Sequence, residues 1–259
     1  MLDISLWMWV GFLLAAYSVI ANDSIQTLGT WIASNKKVNW KIMWAFAGSV
    51  LLFAIWYGWF AYDGSISYGR LNKIPFEGVE WYQALAPAVL LLLTRFGIPV
   101  STSFLVLSAF ASTVVLEKVL MKSMMGYCVA GVAAYVIWIV LTRLLDEGKD
   151  IKESNKIKWK IAQWVTTAFL WWTWLSHDMA NIAVFLPRQL SVDVMIIISI
   201  VFVAGLGWML QHRGGKIQKI VLEKKNTKYV RSATLIDLFY FVILYIFKEM
   251  NDIPMSTTW

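Results

Sequence analysis

Cysteine and histidine are scarce in this sequence. The chain of 259 residues has a single cysteine, Cys128, and two histidines, His177 and His212. One cysteine inside an apolar run excludes a disulfide framework and a cysteine-based metal site. The sequence shows no Ser-His-Asp order and no helix with paired histidines, so an enzyme has little support. We therefore expect neither enzymatic activity nor a bound cofactor.

Charge is sparse as well. Only 15% of the residues are charged and 59% are hydrophobic, whereas a soluble domain has about 25% charged residues. An ordinary globular enzyme is therefore not expected. A spanning helix needs about 20 mostly apolar residues, so a chain of this length can hold roughly half a dozen spans. The composition predicts an all-α polytopic membrane protein.

The net charge of +7 could indicate a nucleic-acid-binding protein, but the placement of the basic residues favours a membrane topology. Sixteen Lys and Arg residues lie in loops on one predicted face, at 36–41, 143–160 and 213–231, and five lie on the other. Basic loops are typical of the cytoplasmic side. We therefore expect a multi-pass protein of the plasma or inner membrane with its N-terminus outside, and no nucleic-acid partner.

Apolar runs divide the chain into predicted membrane segments. Two runs, 4–21 and 159–176, each end in polar residues beyond which a weaker helical pattern continues, and this predicts two broken helices. Two short runs, 83–94 and 104–117, cannot span alone and predict a re-entrant hairpin, and 233–247 begins a second one. Full spans are predicted at 40–62, 125–145 and 192–210.

The motifs recur at one fixed spacing. The pairs Asp23 and Asp178, Gln26 and Asn181, and Pro99 and Pro254 are each separated by 155 positions. Between equivalent residues of the two copies the chain is predicted to cross the membrane an odd number of times. The second copy should therefore have the inverted orientation in the membrane. Inverted repeats with broken helices are typical of secondary transporters. We predict a first inverted repeat at 1–145, a cytoplasmic linker at 146–158, and an incomplete second repeat at 159–259. The counterpart of 104–145 is expected in a longer chain or, alternatively, in another chain.

Asp23 and Asp178 are unfavourable residues to insert into a membrane, because each follows an apolar run and is predicted at membrane depth. A charged side chain there costs at least roughly 2.5 kcal/mol and usually faces an ion or substrate path. Carboxylate, amide and backbone oxygens of a broken helix suit a hard cation such as Na⁺. The alternative is that each helix ends at the interface, where Asp serves as an N-cap.

Hydroxyl residues follow a proline at both predicted hairpin turns, at 99–103 and 254–258. The first N–H groups of a helix carry partial positive charge, and hydroxyls add further donors, so two opposed hairpins would suit a tetrahedral oxyanion. The alternative is ordinary Ser/Thr capping of a span.

These segments are similar to motifs of a known family. Residues 21–30 resemble the Gly-Ala-Asn-Asp signature of the inorganic phosphate transporter (PiT) family, and residues 97–103 and 252–258 resemble its Pro-Val-Ser-Thr-Thr hairpin motif. The resemblance covers both repeats. It implies a symporter that couples inorganic phosphate to Na⁺ or H⁺ by alternating access around a midplane site, with inverted repeats, broken helices and re-entrant hairpins.

The resemblance also implies roles for individual residues. Phosphate would be held by hydroxyl residues of both hairpins and bordered by both acids: Ser101, Thr102, Ser103, Ser256, Thr257, Thr258, Asp23 and Asp178. The coupling Na⁺ would be held by Asn22, Asp23, Gln26, Asp178 and Asn181. His177 stands where the family has Asn, and its imidazole can carry a proton near neutral pH, so we consider proton coupling there. A neutral histidine bonded to a backbone carbonyl is the alternative.

Two other functions stay open on sequence alone. One is transport of a different oxyanion, such as sulfate. The other is a non-transporting membrane receptor or assembly subunit on the same scaffold, which would need no symmetric cavity. The expected partners are phosphate and the lipid bilayer, with a homodimer as a further option.

Overall fold

A computed structural model describes residues 5–72, 74–96, 102–110, 153–214 and 230–250, together with single residues and short groups between 117 and 139. The described residues form helices, turns and bends, and none of them lies in a β-strand. The prediction of an all-α protein is thus confirmed for this part of the chain. The predicted hydroxyl residues Ser101, Ser256, Thr257 and Thr258 lie outside it.

Along the described residues, eight α-helices can be followed in chain order. They are α1 (Leu6–Ser18), α2 (Ser24–Ser34), α3 (Trp40–Ala61), α4 (Trp81–Arg95), α5 (Thr102–Ser108), α6 (Glu153–Ala183), α7 (Val192–Gln211) and α8 (Val230–Leu244). Short helical groups are also described between 117 and 139, and those from 125 onward fall within the predicted 125–145 span.

In the part of the chain that the structure describes, four helical stretches are long and apolar enough to cross a membrane. They are Leu6–Ser34, Trp40–Ala61, Val192–Gln211 and Val230–Phe247. The first combines α1 and α2, and the last continues α8 into a second π-helix, Tyr245–Glu249. The spans predicted at 40–62 and 192–210 agree with α3 and α7. These helices give the chain the character of a multi-pass membrane protein.

The first predicted helix break is wrong. The polar residues at 22–24 do not interrupt the helix, because a π-helix, Val19–Asp23, joins α1 to α2 without a gap. Side-chain hydroxyls bond to carbonyls around this turn: Ser24 Oγ donates to Val19 O at 3.0 Å, and Thr27 Oγ1 donates to Asp23 O at 2.8 Å. These bonds help to satisfy carbonyls around the π-turn, where the regular bonding pattern changes.

The second predicted break is wrong as well. Helix α6 runs unbroken through residues 176–178 and ends only at Ala183. Ser176 Oγ donates back to Thr173 O at 2.9 Å, a local bond that is compatible with a continuous helix. The weaker helical run predicted to reach Leu190 is also absent, because turns replace it after Ala183. Pro187 disfavours helical geometry at the residue before it, which accounts for this end.

Helix α6 occupies the centre of the bundle, where it contacts α1, α2, α3, α5 and α8. Helix α1 packs against α4, and α3 packs against α7. Tryptophan N–H groups form hydrogen bonds between neighbouring helices. Trp44 Nε1 of α3 donates to Val203 O of α7 at 2.8 Å, and Trp171 Nε1 of α6 donates to Ala47 O of α3 at 3.1 Å. Such bonds satisfy indole groups that apolar packing alone would leave without partners.

The predicted first hairpin falls on α4 and α5, two short helices that contact each other. Helix α5 begins at Thr102, directly after the undescribed residues 97–101, and its first turn carries Thr102 and Ser103. This placement brings Thr102 and Ser103 of the predicted hydroxyl run against α6 and the π-helix that joins α1 to α2.

Candidate functional site

The π-helix carries the first predicted acid into the protein interior. Asp23 is 1% exposed, and its Oδ1 accepts a hydrogen bond from Asn22 Nδ2 at 3.0 Å. Gln26 Nε2 donates to Asn22 Oδ1 at 2.7 Å. Three of the five predicted cation ligands therefore form one connected group at the junction of α1 and α2.

The first turn of α5 meets this group. Thr102 Oγ1 donates to Asp23 Oδ1 at 3.3 Å. The next residue, Ser103, faces α6: Asn181 Nδ2 donates to Ser103 Oγ at 3.1 Å, and His177 Nε2 lies 3.1 Å from the same oxygen. Adjacent hydroxyls of one helix thus connect the two motifs that are 155 positions apart in sequence.

We call this arrangement the Asp23 cluster. It comprises residues of three separate chain segments: Asn22, Asp23, Gln26, Thr102, Ser103, His177 and Asn181. All but Gln26 and Ser103 are buried. Asp178 follows His177 on α6 and is buried too, at 3% exposure. Six predicted site residues therefore lie in this cluster together with Gln26, at the first turn of α5 and the segments that it contacts, whereas for Asp178 the structure gives only burial beside the cluster.

Asn181 has a feature that suits an ion site. Its Nδ2 is used by Ser103, while its Oδ1 is buried and has no hydrogen-bond partner within the described part of the chain. Buried polar atoms almost always have a partner, and an exception often marks a site for water or an ion. An amide oxygen is a suitable ligand for a hard cation.

A third buried acid was missed by the sequence analysis. Asp237 on α8 is 1% exposed and accepts Thr30 Oγ1 at 2.8 Å and Thr167 Oγ1 at 2.6 Å. It lies within the run 233–247, which was interpreted only as an apolar hairpin arm. The sequence feature that could have indicated this site is the acid itself, because an ionisable residue inside a spanning segment is unusual.

A polar layer closes the bundle beyond Asp237. Gln163 is fully buried, and its Nε2 donates to Ser34 Oγ at 2.6 Å while its Oε1 accepts from Asn35 Nδ2 at 3.0 Å. Arg213 Nη2 donates to Val38 O at 2.7 Å at the same end of α2. These hydrogen bonds connect the end of α2 with α6 and with the turn after α7.

A cavity of about 330 Å³ lies away from the Asp23 cluster, between the loop after α3 and the segment before α7. Arg188 borders it and donates to Ile74 O at 3.1 Å. Burial lowers the pKa of the Arg188 guanidinium below its usual value. None of the predicted site residues lines this cavity.

Comparison with protein-family models, with curated proteins and with solved structures finds no match to this chain. The functional argument therefore depends on the geometry of the Asp23 cluster and on the motifs that build it.

Proposed function

We propose that the protein is a cation-coupled symporter for inorganic phosphate that works by alternating access. The proposal includes inverted repeats related by the 155-residue spacing, with α4 and α5 as the arms of the first re-entrant hairpin. Phosphate and the coupling cation would meet at the Asp23 cluster, between α2, α5 and α6.

One observation carries the proposal: Thr102 and Ser103, adjacent on α5, contact Asp23 and Asn181 of the two repeated motifs, Thr102 in a buried and Ser103 in a half-buried position. Hydroxyl groups can donate to an oxyanion without carrying charge. Carboxylate and amide oxygens can ligate a cation. Both kinds of group thus meet at the first turn of α5, which is what a shared site for anion and cation requires.

Electrostatics explain why the anion would need a cation. Asp23 and Asp178 are both buried, so phosphate beside them would meet negative charge in a poorly screened environment. Two like charges about 4 Å apart repel by roughly 4 kcal/mol at an effective dielectric constant of about 20. A bound cation removes this penalty, so occupancy by phosphate and by cation would be linked.

Sodium fits the described donor set better than a transition metal does. Apart from His177 Nε2, the atoms at the first turn of α5 are oxygens of Asp23, Asn181 and the hydroxyl residues, and hard cations prefer oxygen ligands. Among the described residues, no group of three or more His, Cys, Asp and Glu side chains could hold a metal ion.

The test is uptake of labelled phosphate by proteoliposomes that contain the full chain. We expect uptake when an inward Na⁺ gradient is imposed, and loss of uptake when an ionophore collapses the gradient. An H⁺ gradient imposed in place of Na⁺ identifies the coupling ion. Uptake of sulfate but not phosphate would identify a different oxyanion transporter. Absence of uptake for both anions would favour the receptor or assembly subunit.

The hydroxyl pair can be tested separately. Thr102→Val combined with Ser103→Ala should raise the phosphate KM by about tenfold or more, because each lost hydrogen bond to a charged group costs about 1.5–3 kcal/mol. Ser199→Ala is the matched control, since Ser199 Oγ donates only to Met195 O on α7. An equal KM in all three proteins would assign Thr102 and Ser103 to helix capping alone.

A further inference from the structure

The cavity that Arg188 borders lies at one end of the helix bundle, where α3 ends and α7 begins. Both helices are long and apolar enough to span a membrane. Leu190 N donates to Gly64 O at 2.9 Å, and Trp59 Nε1 donates to Leu190 O at 2.8 Å, so the loop after α3 is held against the segment before α7. A cavity between the ends of two spans is expected at the depth of the lipid headgroups.

Aromatic side chains at the end of α3 favour the same depth. The ring centroids of Trp56 and Trp59 are 5.7 Å apart, and those of Trp59 and Phe60 are 4.9 Å apart. Tyr62 follows directly after the helix, is exposed and lines the cavity. Tryptophan and tyrosine are enriched where a membrane meets water, because each has an apolar ring and a polar N–H or O–H group. The cavity therefore lies where phospholipids carry their charged groups.

Arg188 brings a positive charge to this cavity without a counterion. Its side chain is half-buried, Nη2 donates to Ile74 O at 3.1 Å, and the guanidinium carbon lies 5.2 Å from the ring centroid of Phe76. Nη1 donates to Leu186 O at 3.3 Å. Within the described residues Arg188 forms no ion pair, and its buried Nε has no hydrogen-bond partner. An uncompensated charge beside a cavity is unfavourable until an anionic group binds there.

Asp63 gives the same cavity a negative charge. It lies in the loop after α3, lines the cavity and is exposed. It forms no ion pair with any basic residue in the described part of the chain, so Asp63 and Arg188 are two separate charges of opposite sign. A ligand with a negative and a positive group on a short chain can satisfy both residues. An anion without a positive group would be attracted by Arg188 and repelled by Asp63.

We propose that this cavity binds the headgroup of an ethanolamine phospholipid. The phosphate would accept N–H groups of Arg188, whose planar guanidinium suits a phosphate, and the ammonium group would donate to the carboxylate of Asp63. The cavity volume of about 330 Å³ is near the lower end of the range for small-ligand pockets, roughly 300–1,000 Å³, which suits a headgroup and not a whole lipid. The acyl chains would lie along exposed apolar side chains at this end of α3 and α7, such as Phe60 and Val192. The proposal does not depend on phosphate transport.

Lipid binding to the purified full chain tests the site. The protein in detergent is titrated with phosphatidylethanolamine, phosphatidylcholine and phosphatidylglycerol, and native mass spectrometry measures the fraction of protein with bound lipid. We expect phosphatidylethanolamine to have the lowest Kd, because the choline group lacks N–H donors and the glycerol group lacks a positive charge. Inorganic phosphate at the same concentration as the lipid should not displace it.

Asp63→Asn isolates the role of the negative charge. Asp63 has a φ of 49°, in the left-handed region that asparagine adopts more readily than most residues, so the variant should fold. Its Kd for phosphatidylethanolamine should rise about tenfold, as for one lost interaction with a charged group. Its Kd for phosphatidylglycerol should fall, because a repulsion is removed. Asp193→Asn is the matched control, since it removes an exposed acid at the start of α7 that does not line the cavity.

Two changes at Arg188 test the positive charge. Arg188→Gln should raise the Kd of every phospholipid about tenfold or more. Arg188→Lys keeps the charge without the planar pair of donors and should have an intermediate Kd. The lysine variant covers the case in which loss of the hydrogen bonds to Ile74 O and Leu186 O prevents the glutamine variant from folding, which thermal unfolding detects.

An equal Kd for phosphatidylethanolamine in the parent, Asp63→Asn and Arg188→Lys would overturn the proposal. Tighter binding of phosphatidylglycerol than of phosphatidylethanolamine by the parent would also contradict it, because Asp63 would then contribute nothing to selectivity. Displacement of the lipid by equimolar inorganic phosphate would instead assign the cavity to a free anion. Absence of phosphate uptake has a different consequence, because it withdraws the proposed function and leaves the lipid site unaffected.

Discussion

Replacement of Asp23 by Asn is expected to abolish coupled uptake while the protein stays folded. The variant loses the negative charge that would hold the cation, and a charged ligand that contributes on the order of 3 kcal/mol corresponds to about a hundredfold loss. Asn22 Nδ2 and Thr102 Oγ1 both donate to Asp23 Oδ1, and an asparagine can keep one acceptor oxygen there. Initial rates of labelled-phosphate uptake measure the effect.

The unfolding temperature of Asp23→Asn shows whether a loss of uptake comes from the missing charge or from misfolding. Because a charge is removed from the membrane interior, Asp23→Asn should unfold at the same temperature as the parent or higher. Asp193→Asn removes the same chemical group from an exposed position and should transport normally. Normal uptake by Asp23→Asn would show that Asp23 is a helix-packing residue and would remove the basis of the proposed function.

The largest effect on stability is expected at Gly11 on α1. A Cβ at this position would overlap the ring of Phe185, which is fully buried and packs edge-on against Phe110 at a centroid distance of 5.1 Å. Overpacking of this kind costs about 1–3 kcal/mol. Gly11→Ala should therefore lower the free energy of unfolding by that amount, measured by thermal or denaturant unfolding in detergent.

Two further variants test whether overlap with Phe185 causes the loss of stability in Gly11→Ala. Gly48 on α3 has open space where a Cβ would lie, so Gly48→Ala should be neutral or stabilise by about 0.5–1 kcal/mol. Phe185→Leu combined with Gly11→Ala should cost less than the sum of the single changes, because the two positions share one contact. Additive costs would show that Gly11 acts through backbone flexibility and not through Phe185.

The 155-residue spacing predicts that the segments around residues 23 and 178 belong to one region, and in the structure Asp23 contacts Thr102 while Asn181 contacts the adjacent Ser103. The spacing could not show that α6 continues through residues 176–178. Polar residues inside an apolar run are compatible with a break or with a continuous helix, and local bonds such as that from Ser176 to Thr173 O occur in continuous helices.

Asp237 was missed for a related reason. It has no counterpart at the 155-residue spacing, where Tyr82 stands, so the search by repeat passed over it. Its partners come from α2 and α6, which lie 207 and 70 positions away in the chain. Such contacts depend on how helices pack, and periodicity within one segment carries no information about them.

The π-helix between α1 and α2 determines the rotational phase of the long N-terminal span. One additional residue in a helical turn rotates everything before it by about 100° relative to everything after it. With the π-turn at Val19–Asp23, Gly11 and Phe12 on α1, Asp23 in the turn and Thr30 on α2 are all buried in the bundle. In a uniform α-helix the buried residues of α1 would be rotated by about 100° relative to those that follow the turn. The inserted residue thus allows a single span to serve an apolar contact in one half and a polar site in the other.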